Sequence, residues 1–245
     1  LTGFPDGAPV RAGANIGDYV TSLYGALATC AALRQREATG EGQWVETALM
    51  DCLVSFEGPF LTRFGVTGEI EKRVGDRSYF GAPNNIYKAS DGWVTIVTNA
   101  DYLYHRLCRA IGREDLIDDP RFKTRPVRAS NWEAIDAEVQ GWIEKHTQAE
   151  ISDIFVKYEV PFAPVQDMRQ VFNDPQIKAR EMVIESDHPV VGKVPVLGSA
   201  MKFSGSKFEV KHPAPLLGQH NEEVYGGILG FSKDEIAKLK YEGTI

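Results

Sequence analysis

Val20, Leu23, Tyr24, Leu27, Cys30, Ala31 and Arg34 recur at steps of three and four residues. That spacing predicts an amphipathic helix of about five turns over Val20 to Glu37. Thr39-Gly40-Glu41-Gly42 stops it, with Gly40 suited to a left-handed cap. Gln43 to Ala48 alternates polar and apolar residues and reads as a strand. Leu49 to Phe64 reads as a second helix. Helix, tight turn, strand and helix make an α/β layout.

Between Gly65 and Pro83 the texture changes. Glu69-Ile70-Glu71-Lys72-Arg73 is polar, and Gly65, Gly68, Gly75 and Gly81 punctuate it, as in a crossing between domains. Asp91-Gly92 lies between two runs of β-formers, Asn85 to Ser90 and Trp93 to Thr98, and signals a hairpin. A helix over Asp101 to Ile111 follows, with Leu103, Leu107 and Ile111 on one face. Two more apolar stripes come next. One is Trp132, Ile135, Val139, Trp142 and Ile143. The other is Ile151, Ile154, Phe155 and Tyr158, opened by a capping box of Thr147 with Glu150. Val160 to Val165 closes this unit. In the last third, Asp174 to Met182 reads as a short helix begun by a turn. Val190 to Phe208 reads as strand-rich, His212 to His220 as a loop entering a helix, and Ser232 with Glu235 as the start of a final helix.

Composition narrows the partners. The 245 residues are 43% apolar and 25% charged, ordinary for a globular protein, and suffice for one large domain or two small ones. A net charge of −7 without a basic run argues against nucleic acid and against anionic membranes. No run of 18 apolar residues spans a bilayer, and no segment resembles a signal peptide. Cys30, Cys52 and Cys108 are too far apart for a zinc site or disulfide framework and read as thiols in a reducing compartment. The five histidines are scattered, and no pair has metal-ligand spacing on a helix. The Pro/Gly-rich start, Gly3 to Pro9, reads as a linker or surface loop.

The chemistry concentrates at one acid. In Ala12-Gly13-Ala14-Asn15-Ile16-Gly17-Asp18-Tyr19, two glycines loosen the backbone and Asp18 falls where the first helix begins. Asp is a good cap there, and the positive end of the helix dipole favours its charge. Most such acids are only caps. The same placement also holds a carboxylate oriented and near the surface, as a carboxylate nucleophile requires. Gly-x-Ser-x-Gly, P-loop and Gly-x-Gly-x-x-Gly patterns are absent, so serine hydrolases, common NTPases and standard NAD enzymes are poor readings. Asp51 and Asp101 read as helix-surface and helix-cap acids. The aromatic stripes read as core.

Gly17-Asp18-Tyr19, Ala31-Ala32-Leu33-Arg34-Gln35-Arg36, Thr39-Gly40-Glu41-Gly42-Gln43 and Leu49-Met50-Asp51 together resemble the family III CoA-transferases, or CaiB/BaiF family. That family includes formyl-CoA transferase and the carnitine CoA-transferases, with 2-methylacyl-CoA racemase as a relative. The resemblance covers essentially all of the chain but only the later part of the family's length. It therefore implies a fragment, a cleaved chain or one half of a split enzyme, with most CoA contacts outside it. It implies an α/β fold in which residues 1–74 are the later part of a Rossmann-like large domain. Residues 75–174 would be a small α+β domain, and 175–245 a segment returning to the large one.

The resemblance makes Asp18 the catalytic carboxylate in exchange of CoA between an acyl-CoA and a free carboxylic acid. CoA would be substrate and carrier, with no permanently bound cofactor and no metal. It implies an interlocked homodimer and, with the absence of targeting signals, a cytoplasmic location. Formyl-CoA transferase carries a mobile glycine run where this chain has Ser78-Tyr79-Phe80-Gly81-Ala82-Pro83, and only Gly81 matches. That makes Tyr79, Gly81 and Ala82 candidate substrate contacts, hints at a bulkier acyl group, and makes Arg77 to Pro83 a candidate lid. Two alternatives stay open. One is a racemase of the same fold, with Asp18 as general acid/base and a partner base outside this chain; Asp101 falls near a proton-moving carboxylate of the racemases, but the transferases often carry an acid there too, so it does not separate the two. The other is a truncated, non-catalytic chain.

Overall fold

Ile16–Thr39 forms one 24-residue helix (α1) in the computed structural model, which describes residues 2–245. It ends at Gly40, whose backbone is left-handed (φ 80°) and whose N–H bonds the Arg36 carbonyl at 2.8 Å, as the glycine signal predicts. The helix begins a turn earlier than its apolar stripe. Its N-cap is Asn15, so Asp18 is not the cap but the third residue of the first turn. Gly17 is likewise inside the helix. A side chain there would reach Leu53 at 3.4 Å, so the glycine serves close packing and not a loosened loop. Before α1 the chain is irregular, and Arg73 fastens it by donating to the carbonyls of Phe4 at 3.1 Å and Gly7 at 2.5 Å.

Two expectations fail next to α1. Gln43 to Ala48 is not a strand: no strand pairs with it among the described residues, and Trp44 is 88% exposed. A strand exists only through ladder bonds to a neighbour, so alternation alone cannot form one. The expected single helix over Leu49 to Phe64 is two, Leu49–Phe56 (α2) and Gly58–Thr67 (α3). Pro59 cannot donate to a continuing helix and fits the first turn of a new one.

The expected hairpin forms. Asn84–Lys88 (β1) pairs antiparallel with Trp93–Val97 (β2), Lys88 opposite Trp93, across the Asp91-Gly92 turn. Phe162–Pro164 (β3) adds to β2, giving the order β1-β2-β3. Tyr87, Val94 and Ile96 point from this sheet into a core built with Asp101–Ala110 (α4), Trp132–Ile143 (α6) and Gln148–Lys157 (α7). Leu107, Val139, Ile143, Ile151 and Phe155 are the helices' contribution, the residues that the periodicity places on their apolar faces. The Thr147–Glu150 capping box opens α7 as expected. A second cluster joins Ala82, Tyr104, Cys108, Leu116, Phe122 and Ile135 beside the short helix Arg125–Ser130 (α5). Among the described residues, Cys52 and Ile236 are the only buried apolar side chains outside Ala82 to Val160. No residue of α1 is buried, although its apolar stripe forms as the spacing predicts.

The chain divides into two compact units, one ending at Val165 and the other Gln166–Ile245. In the second, the expected helix over Asp174 to Met182 is shorter. It is Pro175–Ala179 (α9), where Asp174 caps the start by accepting from the amides of Gln176 and Ile177, and a separate helix, Met168–Asn173 (α8), precedes it. The strand-rich region also lies earlier than expected. Val183–His188 (β4) and Gly192–Leu197 (β5) form a hairpin, and residues 199–208 are irregular. Glu222–Ile228 is π-helical, and Lys233–Tyr241 (α10) starts at the expected Ser232–Glu235 capping box. Among the described residues, no helix is long and apolar enough to cross a membrane.

Candidate active site

Asp18 is exposed on the first turn of α1 and faces a groove of about 600 Å³. The groove's apolar wall is Leu53, Val54 and Phe56 of α2, and its polar rim includes Arg11, Asn15 and Glu57. Arg11 Nη2 donates to Asn15 Oδ1 at 3.4 Å, and Arg11 lines the same groove as Asp18. Tyr24 and Ser55 join their hydroxyls at 2.9 Å and fix α1 against α2. A helix start favours negative charge, and a groove of this size suits a small-molecule ligand. An accessible carboxylate in such a place can act as nucleophile or as general base. Among the described residues, no group of three or more His, Cys, Asp and Glu could hold a metal ion.

The other expected contacts lie elsewhere. Tyr79 lines a separate recess of about 490 Å³ with Arg63, Glu71 and Arg77, and the two cavities share no lining residue. Its hydroxyl donates to the Lys72 carbonyl at 2.7 Å, its ring meets Phe60 edge-on at 4.9 Å, and burial raises its phenol pKa. Arg63 is held by Glu69 at 2.8 Å and by Glu71. Gly81 adopts φ 129°, where a side chain would be strained and would meet Asn99 Cβ at 3.1 Å. Ala82 is buried in the second core cluster, so its methyl group faces protein. Asp51 is exposed on α2.

Asp101 is not the cap of α4 but its first residue, and it holds a buried cation. Arg128 is fully buried and donates to Asp101 Oδ1 at 2.7 Å. It also donates to the carbonyls of Phe122 at 2.9 Å, Ala82 at 3.3 Å and Asn99 at 3.3 Å, and lies 4.1 Å from the Tyr104 ring centroid. Asp136 is a second buried polar centre. It accepts from Tyr87 at 2.5 Å and Asn85 at 2.8 Å, and burial raises its carboxyl pKa against those bonds. Neither centre is visible in the sequence, because a charged residue in a pattern reads as surface.

Comparison with known proteins bears on the family and the fold. The model of CoA-transferase family III matches residues 1–221. The chain belongs to CoA-transferase family III. It is 31% identical to succinyl-CoA–D-citramalate CoA-transferase of Chloroflexus aurantiacus, aligned over 100% of this chain and 61% of that protein. It is 32% identical to a formyl-CoA:oxalate CoA-transferase of Rhodopseudomonas palustris, over 100% and 62%. A CaiB/BaiF family protein from Brucella suis superimposes with a TM-score of 0.76 at 30% identity, over 93% of this chain and 59% of that one. A Mycobacterium tuberculosis structure gives the same TM-score at 22% identity, a likeness of fold. The mixed helix and strand architecture is thus that of the family, as the sequence motifs imply. The chain spans about three fifths of the length of these curated relatives.

Proposed function

We propose that the protein moves CoA between an acyl-CoA thioester and a free carboxylic acid, with Asp18 as nucleophile. The observation that supports this most is an exposed carboxylate on the first turn of α1, opening on the groove beside α2, within the family-matched segment. An Asp18 oxygen attacks the thioester carbonyl, the C–S bond breaks and CoA thiolate leaves, giving a mixed anhydride. The thiolate then attacks the Asp18 carbonyl of that anhydride and expels the first acid as its carboxylate. The incoming carboxylate attacks the resulting aspartyl-CoA thioester, releases thiolate and forms a second anhydride. Attack of the thiolate on the new acyl carbonyl makes the product thioester and restores the Asp18 carboxylate. Every intermediate keeps one activated carbonyl, first in an anhydride, then in the aspartyl thioester, then in the second anhydride, which is the logic of covalent catalysis. CoA serves as substrate and carrier.

We assign Tyr79 and Gly81, with the Ala82 backbone, to the acyl side of the site on the family resemblance, supported by the recess that Tyr79 lines. The two buried clusters, both within Ala82 to Val160, support residues 75–174 as the small domain. A homodimer is the assembly the resemblance implies, and the uncovered apolar stripe of α1 is consistent with a partner surface. Exchange of label between free acid and CoA ester separates this reading from the racemase alternative, because only the transferase needs a second acid. The test is Asp18→Ala in the intact protein with a panel of acyl-CoA donors and isotopically labelled acids. Transfer of label into the CoA ester should fall by at least about a thousandfold. Undiminished transfer would refute the assignment.

A further inference from the structure

The segment Ser78 to Pro83 carries one exposed and one half-buried aromatic on an anchored backbone. Phe80 is 54% exposed, and Tyr79 and Phe80 both pack on Phe60, with centroids at 4.9 and 6.0 Å. Three of its carbonyls, by contrast, are held by neighbouring donors. The Phe80 carbonyl accepts from Arg125 Nη2 at 2.7 Å and Asn99 Nδ2 at 3.2 Å. The Ala82 carbonyl accepts from Arg128 Nε, and the Pro83 carbonyl from the Thr98 amide at 2.9 Å and hydroxyl at 3.1 Å. Arg128 has no route to water, so a movement that withdrew the Ala82 carbonyl would leave a buried cation one acceptor short. Its planar fork reaches several acceptors at once, which a lysine could not do, and Asp101 supplies the countercharge. Such a segment is not free to open and close as the lid that the sequence suggests.

We propose that Arg125 and the Asp101–Arg128 pair are positioning residues that hold Ser78 to Pro83 as a fixed wall of the acyl site. This rests on the assignment of Tyr79 and Gly81 to that site. The wall sets where the acid lies, and the chemistry stays with Asp18.

The test compares Arg125→Met and Asp101→Asn with Lys193→Met, a surface change on β5, in the intact protein. Arg125 and Asp101 are both exposed, so neither change opens the core. Amide hydrogen exchange of the peptide covering residues 78–84 should quicken by about tenfold in the first two variants and not in the third. KM for the acceptor acid should rise by about tenfold while kcat changes by less than about threefold. Arg125→Lys should recover part of both effects. Unchanged exchange would overturn the anchoring. Faster exchange with unchanged KM and kcat would overturn the segment's place in the acyl site while leaving the Asp18 chemistry intact. Absence of transfer in the unaltered protein would overturn both readings.

Discussion

Replacing Arg128 by methionine keeps the aliphatic stem and removes the guanidinium that three carbonyls and one carboxylate share. The carbonyls of Ala82, Phe122 and Asn99 then lose a donor, in a setting where the arginine is fully buried. Each unpaired buried acceptor costs about 1–3 kcal/mol, and removing one member of a buried ion pair costs about 3–5 kcal/mol in all. Asp101 is 56% exposed and regains water, so its loss of a partner adds little. The net expectation is about 3–5 kcal/mol, a large part of the 5–15 kcal/mol typical of a domain. With a urea slope of about 2 kcal/mol/M, the midpoint should fall by roughly 1.5–2.5 M. Tryptophan fluorescence would follow it, since Trp132 packs on the same cluster. Asp101→Asn keeps an acceptor oxygen and should cost less, about 1–2 kcal/mol. A loss below about 1 kcal/mol for Arg128→Met, or a greater loss for Asp101→Asn, would refute the reading of Arg128 as the hub of this cluster.

Alkaline pH tests the burial of Cys108, whose thiol burial pushes up from 9.0 to about 11. The folded thiol keeps its proton where the unfolded one has lost it. Its contribution is therefore full below about pH 9 and is lost as pH rises towards 11, at a slope near 1.4 kcal/mol per pH unit. Urea midpoints measured between pH 8 and 10 should flatten in Cys108→Ala, and an unchanged slope would contradict this. Cys30 is exposed while Cys52 and Cys108 are buried, so one thiol per chain should react with a thiol reagent in the native state and three in denaturant. Three fast thiols without denaturant would show that the surroundings of Cys52 and Cys108 are open.

Local signals proved legible and pairing proved otherwise. The Gly40 stop, the capping boxes at Thr147 and Ser232, and the Asp91-Gly92 turn each act within a few residues, and each forms as read. The Gln43–Ala48 alternation could not supply a strand by itself, since the ladder partner lies outside the segment. Pro59 breaks the helix inside an apolar run that by its pattern reads as continuous. Asp18 was placed at the right helix but a turn too early within it, because Ile16 and Gly17 gave no cue that they were helical. The anchoring of Ser78 to Pro83 was invisible, as it depends on Arg125 and Arg128 more than 40 residues away, roughly ten helical turns of chain. Tyr79, Gly81 and Ala82 are neighbours in sequence, yet none lines the Asp18 groove.

The most direct measurement concerns the covalent state of one side chain. The intact protein, mixed with an acyl-CoA donor and quenched in acid, should yield a peptide containing Asp18 that carries CoA as a thioester, releasable by hydroxylamine, and Asp18→Asn should yield none. An unmodified Asp18 peptide under conditions where label passes between acid and CoA ester, or the adduct on another residue, would contradict the account.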